Sequence, residues 1–320
     1  MMNNTTERNL TLETCLEGKE EEEEDKVIMI IKVMAYVTVL LVSLVGNSLI
    51  IAVYYKRRTY PSAHGMLNDA LIVNLSCSDL LMVIFAIPER ITRLIQHQRW
   101  MMPGRFGVLM CKLVNFNEAV SIVVSLLTLD VIAVERFMAV FYPIKRSVSS
   151  RKMKSIIIAT WLIAVSYNSP LLYYSQLIHE GTKTLCNART SMWDTKTWLF
   201  FYFALVSITL VTVVVCYLAI FVKVSKIKQK KLSANRRQRM IITRRVQRTS
   251  LAIILAFYLY LCYWLKRLLC AFNHLFHVCK NPVLGFMSVY LAITNSALNP
   301  IICFSFSANF RQGIKRLIKL

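Results

Sequence analysis

Residues 108–141 read VLMCKLVNFNEAVSIVVSLLTLDVIAVERFMAVF. The run exceeds the ~20 residues a helix needs to cross a bilayer. It carries Cys111 near its start, Glu118 further in, and Glu135-Arg136-Phe137 at its far end. At ~1.5 Å of rise per residue, Cys111 and Arg136 stand roughly 37 Å apart, at opposite faces of a membrane. An acid and a guanidinium closing a hydrophobic helix are costly unless paired or handed to a partner, so Glu135-Arg136 predicts a switch at one face. Glu118, about two turns in from Cys111, predicts a ligand cavity at the other.

Six more runs of comparable length flank it, at 27–55, 67–95, 153–174, 198–224, 249–272 and 282–304. With 56% hydrophobic and 18% charged residues in 320, the chain is expected to be an all-α integral membrane protein. The expected architecture is a bundle of seven transmembrane helices over 27–304, a polar tail over 1–26, and a short amphipathic helix over 305–320. The formal net charge of +22 is unevenly placed. Lys/Arg clusters follow the first, third, fifth and seventh runs, at 56–58, 145–154, 223–248 and 311–319. Basic loops stay in the cytoplasm, so the tail is expected outside, on a multi-pass protein of the plasma membrane. Without a basic patch interleaved with aromatics, the charge reads as topology rather than nucleic-acid binding.

The tail lacks the short apolar core of a cleavable signal, and the first run is expected to act as its own anchor. Asn3, Asn4 and Asn9 each open a glycosylation sequon, which has meaning only outside the cell. Glu20 to Asp25 form an acidic block that reads as disordered and solvated, or else as a lure for a basic ligand. Only external cysteines meet an oxidising compartment. Cys111 and Cys186 both fall there, and a bridge between them would pin the loop after the fourth run over the bundle's mouth. Cys15, Cys270 and Cys279 are external too, leaving Cys15–Cys279 or Cys270–Cys279 as a second bridge. Cys77, Cys216, Cys262 and Cys303 lie within runs and read as packing residues.

In order and spacing these features resemble the rhodopsin-like G-protein-coupled receptors over nearly the whole chain. The resemblance rests on Gly46-Asn47, Asn74-Leu75-Ser76-Cys77-Ser78-Asp79, Trp100 ahead of Cys111, Glu135-Arg136-Phe137, Trp161, Asn295 to Pro300, and Phe310-Arg311. It implies a receptor, not an enzyme, that passes binding of an extracellular ligand to a heterotrimeric G protein, with arrestin and membrane lipid as further partners. The neuropeptide receptors are the nearest in character. Glu135, Arg136, Tyr217, Asn299 and Pro300 would then form the coupling switch.

Asp79 sits mid-helix, where an unpaired carboxylate is expensive. Asn47, Ser125, Asn295, Ser296 and Asn299 are available to it, and the resemblance implies that they converge with Asp79 around an allosteric sodium ion. An interhelical hydrogen-bond network is the alternative; no other cofactor is expected. Glu118 faces either a cationic ligand group or one of Arg90, Arg93, Lys266 and Arg267. Glu89, Glu118, Tyr263, Trp264 and Arg267 are expected to contact the ligand, in a polar-aromatic vestibule suited to a peptide end.

Several positions depart from the family pattern. Phe201 and Leu205 stand where monoamine receptors carry serines, and Ile293 stands where light receptors carry lysine. Thr209 and Lys266 replace prolines of the fifth and sixth runs, and Cys303 replaces the final tyrosine of the seventh. Arg244 to Arg248 contain no acid to hold Arg136 across the bundle, which predicts a weak inactive state and basal activity. A receptor for a non-peptide small molecule and a non-coupling decoy are the alternatives. A transporter would show paired broken helices in repeated halves, and the five scattered histidines lack metal-ligand spacing.

Overall fold

A computed structural model describes residues 3–58, 66–96, 99–142, 150–181, 183–188, 192–229, 265, 282–306 and 308–318. The first helix, α1 (Asn3–Arg58), is continuous. The acidic block expected as disordered tail is thus helical, a correction with a plain cause: Glu, Lys and Leu are strong helix formers and no proline interrupts the segment. There follow α2 (Met66–Ile95), α3 (Gly104–Phe141), α4 (Ser150–Asn168), the short α5 (Pro170–Tyr174), strands β1 (Ser175–Glu180) and β2 (Lys183–Ala188), α6 (Met192–Gln229), α7 (Pro282–Phe306) and α8 (Ala308–Ile318).

Among the described residues five stretches are long and apolar enough to cross a membrane: Asp25–Lys56, Ala70–Ile95, Arg151–Tyr174, Phe200–Lys223 and Val283–Ser305. They match five of the expected runs. The third is α3, which has 38 residues but also Lys112, Glu118, Asp130, Glu135 and Arg136. The sixth, at 249–272, lies outside the described residues save for Leu265, which is helical.

The middle of α3 is the axis of the bundle. Every residue from Val120 to Leu126 is buried, so no face of that segment is left for solvent or lipid. It packs against α2, α4, α6 and the hairpin. The main core gathers Val39 of α1, Val83 of α2, Val123 of α3, Val206 of α6 and Ile293 of α7. Large apolar side chains also cover the outside, among them Ile31, Leu162, Val211 and Ile301. Apolar surface on that scale is placed for lipid.

Two close approaches fix the packing of α1. A Cβ on Gly46 would come within 2.6 Å of the Pro300 ring of α7, so only glycine permits the contact. One turn further, α8 folds back so that Phe310 packs on Ile50 and Val53, and Gly313 abuts Val53. Arg311 Nη1 donates to the carbonyls of Phe304 (3.3 Å) and Ser305 (2.5 Å), satisfying acceptors left over at the end of α7. The amphipathic helix expected over 305–320 is therefore present as α8.

β1 and β2 form an antiparallel hairpin that pairs Leu177 with Cys186. Its turn uses Gly181 at φ 58°, in the left-handed region glycine tolerates best. The hairpin marks one end of the bundle and Arg136 the other.

Candidate functional site: a charged clasp, a buried carboxylate and a switch

At the hairpin end, a disulfide joins Cys111 of α3 to Cys186 of β2, the bridge that would pin the loop. The Trp100 amide donates to Thr184 O at 2.7 Å, and Asn115 Nδ2 to Cys111 O at 3.0 Å. Cys279 lies outside the described residues, as do Cys262, Cys270, Tyr263, Trp264, Lys266 and Arg267; Cys15, Asn3, Asn4 and Asn9 belong to helical backbone whose side chains are not described.

Beneath the hairpin, Arg90 Nη2 donates to both oxygens of Glu118 at 2.8 Å. Glu89 meets Arg90 Nε at 3.5 Å and pairs with Arg93 Nε; Arg93 Nη2 donates to Cys186 O at 2.9 Å. Two acids and two guanidiniums thus make a neutral clasp running from α3 through α2 to the hairpin. Glu118 is thus engaged by Arg90, while Arg93 turns to Glu89 and the hairpin; Lys266 and Arg267 lie outside the described residues. With side chains 21% and 12% exposed, the pair is shielded enough to outweigh an ordinary surface pair. Tyr36, Phe286 and Tyr290 add an aromatic wall, with Tyr36 5.4 and 5.8 Å from the other two rings. Sequence reasoning missed this wall, although the i, i+4 spacing of Phe286 and Tyr290 marks one helix face. Phe201 is exposed on the outer surface, whereas its neighbour Tyr202 points inward and is fully buried.

Midway along the bundle, Asp79 is completely buried. Asn299 Nδ2 donates to its Oδ2 at 2.6 Å and Ser125 Oγ to its Oδ1 at 3.4 Å, with Ser78 Oγ 2.9 Å from Ser125. Ser296 Oγ reaches Met82 Sδ at 3.5 Å and lies within reach of the carboxylate. Asn47 bonds elsewhere: its Nδ2 donates to Ser43 O (3.0 Å) and Ser296 O (3.1 Å) and ties α1 to α7. Asn47 Oδ1, both polar atoms of Asn295 and Ser121 Oγ are buried with no hydrogen-bond partner among the described residues. A carboxylate that gathers the hydroxyls of Ser125 and Ser296 presents hard oxygen donors of the kind a small cation takes. Ser121, one turn from Ser125 on α3, was not read from sequence. Asn74 is a further tie: its Nδ2 donates to Thr128 Oγ1 and its Oδ1 accepts from Trp161 Nε1, each at 2.8 Å, linking α2, α3 and α4.

At the far end, Arg136 Nε lies 3.8 Å from Glu135 Oε2. Tyr217 of α6 is buried within electrostatic reach of both. Lys223 Nζ donates to Val140 O at 3.0 Å and sits 4.2 Å from the Phe141 ring centroid, so α6 caps the end of α3. The basic stretch 244–248 lies outside the described residues. A family model described as 7 transmembrane receptor (rhodopsin family) matches residues 46–303.

The chain belongs to the rhodopsin family of seven-transmembrane receptors. It is a multi-pass membrane protein and a receptor, not an enzyme. It is 28% identical over 307 residues to the RYamide receptor of Drosophila melanogaster, covering 90% of this chain and 63% of that one. The galanin receptor 2a of Danio rerio is 28% identical over 309 residues, covering 91% and 79%. Somatostatin receptor type 1 of Rattus norvegicus is 25% identical over 291 residues, covering 89% and 71%. In this receptor Glu135 and Arg136 lie on α3, Tyr217 on α6, and Asn299 and Pro300 on α7, and the clasp stands at the other end of α3.

Proposed function

We infer that this receptor turns binding of an extracellular peptide into activation of a heterotrimeric G protein at the plasma membrane, with its N-terminus outside. The observation that carries the reading is the juxtaposition on α3 of the Arg90–Glu118 clasp at one end and Glu135-Arg136 at the other. Relatives named for RYamide, galanin and somatostatin support a peptide as ligand class. A cationic ligand group would have to displace Arg90 from Glu118, and an anionic one would draw on Arg90 and Arg93 instead. Either exchange shifts the bundle only by the difference in contact energy between its two states. The basic clusters 223–248 and 311–319 would meet the G protein, anionic lipid or arrestin.

A sodium ion at Asp79 belongs to the same proposal. Asp79, Ser125 and Asn295 would hold it, with Asn47, Ser296 and Asn299 around them, and when bound it supplies the charge that balances the carboxylate and favours the closed bundle. Basal signalling is also proposed, because the sequence 244–248 offers Arg136 no acid.

Saturable binding of a peptide panel to cells displaying the receptor tests the ligand class. Binding of at least one peptide, lost in Cys186→Ser, is expected. Responses to non-peptide metabolites alone would favour the small-molecule reading.

A further inference from the structure

Between α3, α4 and α6, on the half of the bundle nearer Arg136, lies a cavity of about 540 Å³. Its walls are largely apolar, with Leu127, Val131, Val134 and Met138 on one side and Ile156 and Ile163 on the other. Val134, Met138 and Ile163 are exposed, so the cavity opens toward lipid. Both threonines in its lining have spent their hydroxyls on their own helices, Thr160 on Ile157 O at 2.7 Å and Thr212 on Ile208 O at 2.9 Å. Glu135 is engaged by Arg136, and Tyr142 stands exposed just past the end of α3. Asp130 is different: its Oδ1 is buried and has no hydrogen-bond partner among the described residues. An acid beside a lipid-facing cavity is expensive, and no role in the clasp, the Asp79 network or the switch accounts for it.

We propose that this cavity is a second ligand site, which takes a lipophilic amine from the bilayer with Asp130 as its counterion. The volume lies within the range that holds drug-sized molecules, roughly 300–1,000 Å³. An ammonium donor on an apolar body satisfies the carboxylate and fills the walls at once, and a charge-assisted hydrogen bond is stronger than a neutral one. A purely apolar occupant would leave the buried oxygen unpaired. A phosphate headgroup would bring like charge against Asp130 and Glu135. The site is separate from the clasp, which lies at the opposite end of α3.

The test uses the full chain in phosphatidylcholine nanodiscs and a photoreactive sphingosine analogue, with the N-acetylated analogue as its uncharged counterpart. Saturable labelling of α3 and α4 is expected, falling about tenfold in Asp130→Asn and with the N-acetylated probe, as for loss of one charge-assisted contact. Ile163→Trp, which fills the groove and leaves Asp130 in place, should abolish labelling as well and serves if Asp130→Asn folds poorly. Equal labelling by both probes, or labelling unchanged in Asp130→Asn, would overturn the proposal in favour of a nonspecific apolar groove. Absence of saturable labelling, or cross-links between two receptor copies across this face, would overturn it too.

Discussion

Arg90 reaches two carboxylates, Glu118 on α3 and Glu89 beside it on α2, and the consequence is measurable one residue at a time. Arg90→Ala strands the Glu118 carboxylate in a shielded site and should destabilise the detergent-solubilised receptor by about 2 kcal/mol. Glu118→Ala should cost a similar amount, and the double variant should regain most of the loss, because removing both partners leaves no orphaned charge. Thermal unfolding of the three variants checks this, and strictly additive losses would contradict the clasp. Asp79 gives a second residue-scale prediction. Sodium, but not choline, should raise the thermal midpoint of the receptor, and Asp79→Asn should erase the difference. The mid-span polar residues were legible in sequence because an amide or acid in an apolar helix stands out against its neighbours. The choice of partner was not. Arg90, Arg93, Lys266 and Arg267 were all open by position, and among the described residues it is the packing of α2 against α3 that puts the Arg90 guanidinium on Glu118.

At the scale of elements, the apolar runs and their lengths were readable, whereas helix that continues past a membrane span was not. α1 extends back to Asn3, with no hydrophobic boundary to announce the start. α3 illustrates the opposite case, since Glu118 looks costly in isolation and becomes acceptable only when α2 brings Arg90 against it. Gly46 reads as an ordinary helical glycine until Pro300 is placed against it. Gly46→Ala should therefore overpack the α1–α7 contact and destabilise the receptor by about 1–3 kcal/mol, with the midpoint falling accordingly. A neutral result would mean that the two helices separate freely. Cys111→Ser, opening a bridge that spans 75 residues, should cost about 2–4 kcal/mol and abolish ligand binding. Its readouts are thermal unfolding and saturable binding; retained affinity would show that the hairpin is held by Trp100 and Arg93 alone.

Across the whole molecule, α3 is the one described element that contributes to the clasp, packs beside Asp79 and ends in Glu135-Arg136, so in the proposed function a ligand event at the hairpin would reach Arg136 through a single packed rod. Such coupling needs two discrete arrangements of the bundle and a ligand that favours one of them. The membrane class followed from the lengths of the apolar runs, and the placement of Cys111 and Arg136 at opposite ends from their spacing along one helix. The ligand's own chemistry did not follow, because the vestibule is assembled from several helices, and the expected contributions of Tyr263, Trp264 and Arg267 lie outside the described residues. The most direct measurement is G-protein dissociation in cells expressing the receptor or its Arg136→Ala variant at equal surface levels, with and without peptide. A basal or peptide-dependent signal that disappears in Arg136→Ala is the predicted result. A signal unchanged by that substitution, or silence from surface-expressed receptor across every G-protein class, would contradict the account.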